Sequence, residues 1–248
     1  MDLLVPHRRP GPLLPGTLLE RPNRFLGIVR LPDGRVVEAH IGDRGRLEDV
    51  LRPGAEIRLQ AASSPTRRTA FTVVCARAPE GVFTSVDPAN ANRLVRALLE
   101  ARLLPLPTWR AIAQEVRHGS SRFDFALELS GGGRLLLEVK SAGAARDGVA
   151  LFPDAPSERA SRHCRELEAL ATSGEQAAVV LVAQRGDAKA IAPHPVDPAF
   201  ALALADAARA GVRVLGVAFS VEDEGFRYLG PIPVLFGPRS ERSKVDSR

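Results

Sequence analysis

The sequence predicts two folded units in series: a small β-barrel, then an α/β domain built on a mixed sheet. Three observations carry that expectation. The chain has 248 residues, more than one typical domain of roughly 100 to 200 residues. Residues 16–82 contain only short apolar runs separated by turn residues, which is how a small barrel reads. From residue 88 onward the pattern becomes helix, three strands, helix, strand, helix, strand, an α/β order. The expected divisions are 1–82 for the barrel, 83–236 for the α/β domain, and a polar, mobile tail at 237–248.

In the first unit the apolar runs fall at 17–19, 24–31, 35–41, 55–61 and 69–78. Pro32-Asp33-Gly34, Gly42-Asp43-Arg44-Gly45, Pro53-Gly54 and residues 63–66 punctuate them. Five strands in about 70 residues is the size of an OB-fold, whose open face commonly takes single-stranded nucleic acid. Arg21, Arg24, Arg46, Arg67 and Arg68 are placed to line such a face, although ordinary solvated arginines would read the same way.

In the second unit, Asp87 and Pro88 make a helix start, and Leu94, Val95, Leu98, Leu99 and Leu103 follow at helical spacing. Arg93 and Arg96 lie off that stripe, and Arg93 joins the candidate nucleic-acid contacts. Three strands are expected at 111–118, 122–129 and 134–142, joined by Gly119-Ser120 and by the glycine triplet 131–133. That triplet lacks the Lys-Ser or Lys-Thr of a phosphate-cradling loop, so a hairpin turn is the expectation. A helix at 156–172 closed by Gly174, a buried strand at 177–183, a helix at 197–211 and a strand at 212–221 complete the order.

Composition narrows the partners. Lys and Arg total 34 against 29 Asp and Glu, and the pI of about 10.0 attracts polyanions, nucleic acid first. Cys75 and Cys164 form no metal-binding or disulfide pattern, which fits a reducing cytoplasm. The first 14 residues lack the basic start and unbroken apolar run of a signal peptide, and no stretch is long enough to span a membrane. The three lysines are Lys140, Lys189 and Lys244. Arginine serves nearly everywhere else, so a remaining lysine invites chemistry that a guanidinium cannot do.

The candidate chemistry sits on the three strands. Asp124 interrupts an apolar run whose Phe123, Phe125 and Leu127 should take the other face, and Glu138 and Lys140 do the same between Leu135, Leu137 and Val139. If the three glycines form the turn, Ser130 pairs with Arg134 and Asp124 faces Lys140. Glu138 then becomes the diagonal neighbour of Asp124, within roughly 7 to 8 Å. Across the preceding hairpin, Glu115 falls opposite Asp124. Crowded carboxylates should bind a divalent cation or carry raised pKa values, and hard oxygen donors select Mg²⁺ or Mn²⁺. A solvated sheet face with alternating charges is the competing reading.

Asp124 with Glu138-Val139-Lys140 inside an α-β-β-β-α-β core resembles the PD-(D/E)xK nuclease superfamily. The surroundings are more specific. Residues 21–26 (Arg-Pro-Asn-Arg-Phe-Leu), 45–54, 92–94 (Asn-Arg-Leu), 121–125, 138–141 and 152–159 with His163 resemble the sugar fermentation stimulation protein A family over nearly the whole chain. Two places depart from it. Gly42-Asp43-Arg44-Gly45 stands where the family has Pro-Asn-Thr-Gly, and Arg159-Ala160-Ser161-Arg162 where it has Arg-Gly-Gln-Lys. The resemblance implies an OB-like domain, a nuclease-like domain, and DNA binding with little sequence preference.

On that basis Asp124 and Glu138, with the carbonyl of Val139 and with Glu115, are expected to hold Mg²⁺ or Mn²⁺, and Lys140 to activate water. Cleavage of DNA or RNA would leave a 5′-phosphate. Asp154, Glu158, Arg159 and His163 are expected at the mouth of the same cleft, with Arg159 and His163 meeting one phosphate path. The alternatives are a non-catalytic DNA-binding regulator of sugar metabolism on a nuclease scaffold, and a module binding an acidic small molecule. A homodimer would suit cleavage of both strands.

Overall fold

The structure is a computed structural model that describes residues 2–8, 11–43, 45, 47–62, 68–119 and 121–236. Arg46, Arg67 and the expected tail 237–248 therefore lie outside the described residues.

The barrel is built from β2 (Leu14–Asn23), β3 (Leu26–Arg30), β4 (Val36–His40), β5 (Glu56–Ala61) and β6 (Phe71–Arg77), with β1 (Leu4–Pro6) preceding it in the chain. Its strand order is β4-β3-β2-β5-β6, and a parallel pairing of Ala39 and His40 with Phe71 and Thr72 closes the ring. Leu18, Val29, Ile41, Ile57, Leu59 and Val73 fill it. The five expected strands and their OB-like closure are present. A short strand β7 (Phe83–Ser85) continues the barrel sheet by pairing with β6, so the barrel runs three residues past the expected boundary at 82. The N-terminus departs the other way. β1 pairs with the last strand of the second domain, because its Val5 packs into that domain's core.

The second domain continues with α1 (Ala89–Glu100), β8 (Trp109–His118), β9 (Ser121–Leu129), β10 (Arg134–Ala142), β11 (Ala144–Arg146) and β12 (Val149–Phe152). Then follow α2 (Glu158–Thr172), β13 (Gln176–Ala183), β14 (Ala190–Pro193), α3 (Pro198–Arg209), β15 (Arg213–Val221) and β16 (Gly225–Ile232). The seven-stranded sheet has the order β1-β16-β15-β13-β10-β9-β8. The β10–β13 and β13–β15 pairings are parallel and the others antiparallel, which makes the sheet mixed. β11, β12 and β14 form a separate small sheet. The sequence reading lacks these three strands and β16, because each is short or interrupted by proline or glycine.

Side chains cap α2 and α3, whereas α1 has Pro88 at its N-cap with no side-chain cap and Asp87 one residue further out. Asp87 Oδ1 accepts from Ala89 N–H, Ser157 Oγ from Ala160 N–H and Asp197 Oδ1 from Phe200 N–H, each satisfying an orphan donor of the first turn. α1 packs on one face of the sheet with Leu94, Leu98, Phe125, Leu137 and Val180. α2 and α3 cover the other with Leu136, Leu167, Val179, Leu181 and Leu204. Among the described residues, no helix is long and apolar enough to cross a membrane.

The hairpin carrying the acids differs in register from the expectation. Arg134 pairs with Glu128 and Leu137 with Phe125, two residues away from a pairing of Ser130 with Arg134. Leu129 N–H donates to Gly133 O, and Gly132 N–H to Leu129 O. Gly133 therefore lies across from Leu129 just before β10 begins, and the turn is Ser130–Gly132. Gly132 and Gly133 have φ of +92° and +75°, a region that glycine enters without strain. Within the paired stretch an even offset leaves each side chain on its expected face. Continued one residue past the last pair, the register sets Glu138 across from Asp124 in place of the diagonal position, and Lys140 no longer faces Asp124.

Candidate functional site

Asp124 sits where β9 leaves β10. The paired ladder ends at Leu137 and Phe125, and the next β10 donor, Val139 N–H, bonds to Asp124 Oδ2 at 2.7 Å. Oδ1 accepts from Asn92 Nδ2, also at 2.7 Å, so α1 and β10 together fix the carboxylate. The strand also turns over here. Phe125 and Leu127 pack on the α1 side, whereas Phe123 packs on the α2 side, its ring centroid 5.7 Å from that of His163. The expectation that Phe123 shares a face with Phe125 fails because the β9–β10 ladder stops between them.

Glu138 and Lys140 are 3% and 8% exposed. Glu138 Oε1 accepts from Lys140 Nζ at 2.6 Å and lies 2.5 Å from His163 Nδ1. Its other oxygen, Oε2, is buried and has no hydrogen-bond partner among the described residues. The two acids respond oppositely to this environment. Burial and then the Glu138 charge push the Asp124 carboxyl up to about 6, against the hydrogen bonds from Val139 and Asn92. Burial also acts to raise Glu138, but the His163 hydrogen bond and the Lys140 charge outweigh it and hold Glu138 below its ordinary value.

These groups line a cleft of about 300 Å³ whose walls come from both domains. α1 supplies Ala91 and Asn92, the approach to α2 supplies Asp154, Ser157 and Arg159, and the barrel supplies Asp43 and Leu47. Gly45 packs directly on Asp154, and a Cβ there would lie 1.8 Å from Oδ2. Only glycine permits this approach of the barrel loop. Asp154 Oδ2 is itself buried without a hydrogen-bond partner among the described residues. Burial, with the Asp154 charge adding to it, raises the Asp43 carboxyl.

The expected site residues divide accordingly. Asp124, Glu138, Val139, Lys140, Asp154 and Arg159 line one cleft. Glu115 does not join them: its φ is +55°, and its exposed side chain pairs with Arg122 at 2.7 Å. Glu158 is exposed and outside the lining. His163 is 2% exposed, bonds to Glu138 and lies outside the cleft lining that includes Arg159. Among the described residues, no group of three or more His, Cys, Asp or Glu side chains converges as a ready metal cage.

Of the basic residues, Arg24 and Arg68 are exposed. Arg21 donates to the carbonyls of Arg24 and Gly45, and Arg93 to that of Pro6. Both brace the chain. Asn92 and Asp43 are among the cleft residues absent from the expected site. Asn92 lies in the Asn-Arg-Leu stretch, which was its one signal; Asp43 lies in the turn where the chain departs from the family pattern.

A family model for the sugar fermentation stimulation protein RE domain matches residues 89–225, and one for the SfsA N-terminal OB domain matches residues 19–85. A sugar fermentation stimulation protein homolog of Moorella thermoacetica is 43% identical over 228 residues, 91% of this chain and 97% of that one. The homolog of Chloroflexus aurantiacus is 40% identical over 232 residues, 93% and 88% of the two chains. Among solved structures, Pyrococcus furiosus SfsA in complex with Ca²⁺ superposes with a TM-score of 0.82 at 30% identity, covering 93% of this chain and 99% of its own. With both domains matched and relatives aligned over almost their full lengths, the chain belongs to the sugar fermentation stimulation protein family.

Proposed function

We propose that this protein is a divalent-cation-dependent phosphodiesterase acting on nucleic acid, DNA first and RNA second, with little sequence preference. The observation that carries the reading is Glu138 Oε2, a buried carboxylate oxygen left without a partner and lining a cleft with an Asp124 carboxyl held at a pKa near 6. A buried acceptor left open costs about 1 to 3 kcal/mol, more for a charged group, so such an oxygen is suited to an external ligand. Asp124, Glu138 and the Val139 carbonyl are all hard oxygen donors and fit Mg²⁺ or Mn²⁺. The Ca²⁺ complex of the Pyrococcus furiosus relative supports a hard divalent ion in this family.

When bound, such a cation offsets negative charge on a phosphate under attack. The chain's own groups do the rest. Asn92 and the Val139 N–H keep the Asp124 carboxylate aimed. His163 and Lys140 hold Glu138 in place from behind. The Lys140 ammonium orients the attacking water and favours its loss of a proton to solvent. Arg159, at the start of α2, receives the neighbouring phosphate. The water oxygen bonds to phosphorus, the bond from phosphorus to the 3′ oxygen breaks, and that oxygen takes a proton from solvent, leaving a 5′-phosphate.

Nicking of supercoiled plasmid tests the reading. Cleavage should need Mg²⁺ or Mn²⁺ and stop in EDTA. Lys140→Ala should lower the rate by about 100-fold or more while binding in EDTA changes little. Binding without cleavage under every condition would favour the non-catalytic regulator.

A further inference from the structure

We infer that the Ser141 hydroxyl donates a hydrogen bond to a phosphate of the bound strand, and that Gln184, a residue held by the barrel, keeps the hydroxyl turned that way. The inference rests on the nucleic-acid reading above and adds a phosphate contact, with the residue that positions it, to the same cleft.

Ser141 follows Lys140 on β10 and lines the cleft together with Asp124, Glu138 and Lys140. Its one hydrogen bond among the described residues comes from a side chain outside that lining: Gln184 Nε2 donates to Ser141 Oγ at 2.7 Å. A hydroxyl has one donor and two acceptor sites. Gln184 fills an acceptor site, so the O–H remains as a donor that needs an acceptor from the cleft.

Gln184 is fixed in place. It is 1% exposed, and its backbone carbonyl accepts from Ser85 N–H of the barrel strand β7 at 3.1 Å. The next residue, Arg185, bridges to Thr84 of the same strand. The amide makes its bond to Ser141 although its own Oε1 is buried with no hydrogen-bond partner among the described residues. Turning the amide over would satisfy Oε1 and leave Nε2 buried and unpaired instead. Orphaned N–H groups are the rarer kind among buried backbone groups, and the same preference favours the orientation that leaves Ser141 a donor.

Phosphate oxygens are the acceptors that a strand brings to such a hydroxyl. Contacts of this kind set the position of the backbone and carry no sequence information, which fits a protein with little sequence preference. Lys140 Nζ is bonded to Glu138, so Ser141 supplies a neutral donor on the β10 wall where the neighbouring cation is already engaged.

Anisotropy titrations in EDTA over a range of salt, with short fluorescein-labelled oligothymidylate, oligouridylate and duplex DNA, test the inference. The most tightly bound of the three identifies the source of the phosphate. Ser141→Ala deletes a single oxygen and keeps the fold. It should weaken that binding about tenfold, as for a hydrogen bond to a charged group. The slope of log affinity against log salt should stay the same, because a neutral donor releases no counterion. Arg159→Ala, in the same titration, should reduce the slope by about one. Gln184→Met removes the amide at similar volume and frees the hydroxyl to rotate, so it should also lose affinity. Added to Ser141→Ala it should cost nothing further, since the amide acts only through that hydroxyl.

Full affinity in Ser141→Ala, or a loss accompanied by a flatter salt slope, would overturn the phosphate contact and leave the nucleic-acid reading intact. Full affinity in Gln184→Met, or losses that add in the double variant, would overturn the positioning by Gln184. Failure of all three nucleic acids to bind would end both readings.

Discussion

Two clusters of buried charge can be set side by side, and they are built on opposite terms. At the junction of the domains, the Arg185 side chain is 2% exposed and its guanidinium is surrounded by acceptors. Asp187 takes a two-pronged contact at 2.7 and 2.8 Å, and Glu80, from the β6–β7 turn of the barrel, a third at 2.9 Å. In the cleft, two carboxylates lie close together and the lysine pairs with Glu138 alone. One carboxyl is pushed up to about 6 and the other keeps an oxygen with no partner. The closed cluster holds the barrel on the sheet. The open one spends stability to keep donors ready for a ligand. Charge satisfaction, more than burial or charge itself, separates the structural ion cluster from the one proposed to take a ligand.

Breaking the closed cluster should have the largest effect. Arg185→Met leaves Asp187 and Glu80 without their cation and should lower unfolding stability by about 3 kcal/mol in urea titrations. A loss below about 1 kcal/mol would mean that solvent replaces the arginine and that the cluster is no latch.

The open cluster should gain from what it lacks. If the proposed cation site is right, Ca²⁺ should stabilise the protein by about 2.7 kcal/mol at a hundredfold excess over its Kd. Glu138→Gln should abolish that gain in calorimetric melts. A gain of equal size in the variant would remove Glu138 from the cation site.

The smallest effect has the opposite sign from most substitutions. Asp124 holds its proton to about pH 6 in the folded protein, against 3.8 ordinarily. The folded state therefore binds more protons between those values, and stability falls as pH rises through them, by about 3 kcal/mol in total. Asp124→Asn removes that penalty but sets an amide against Asn92. At pH 8 in EDTA the variant should be about 1 to 2 kcal/mol more stable than the parent. The advantage should vanish near pH 4, where the parent carboxyl is protonated in the folded state. Urea titrations at the two pH values check this, and a variant less stable at pH 8 would contradict the burden assigned to Asp124.

The comparison also separates what was legible in the sequence. Asp124, Glu138 and Lys140 stand out because a charge inside an apolar strand run violates the local pattern, and a period of two identifies the face it takes. Arg185 gives no such signal. It follows an apolar strand, where an arginine reads as a solvated end, and its contacts with the barrel, through Glu80 105 positions away in the chain and the bridge to Thr84, are not visible locally. Asn92 and Asp43 escape for the same reason, since each acts on a group far along the chain.

By itself the sequence determined the order of elements, the capped helix starts, the five barrel strands and the alternation that brings two acids and a lysine together. Those features depend on neighbours within a few residues, where backbone sterics, capping and periodicity operate. Tertiary structure alone decided the two-residue offset that puts Glu138 across from Asp124, since backbone freedom at Gly132 and Gly133 is equally compatible with either turn. It also decided the turning away of Glu115, the return of β1 to the far edge of the sheet, and the seating of the barrel loop on Asp154. Each of these joins segments distant in sequence, and no local propensity encodes which surfaces will meet when separate cores pack.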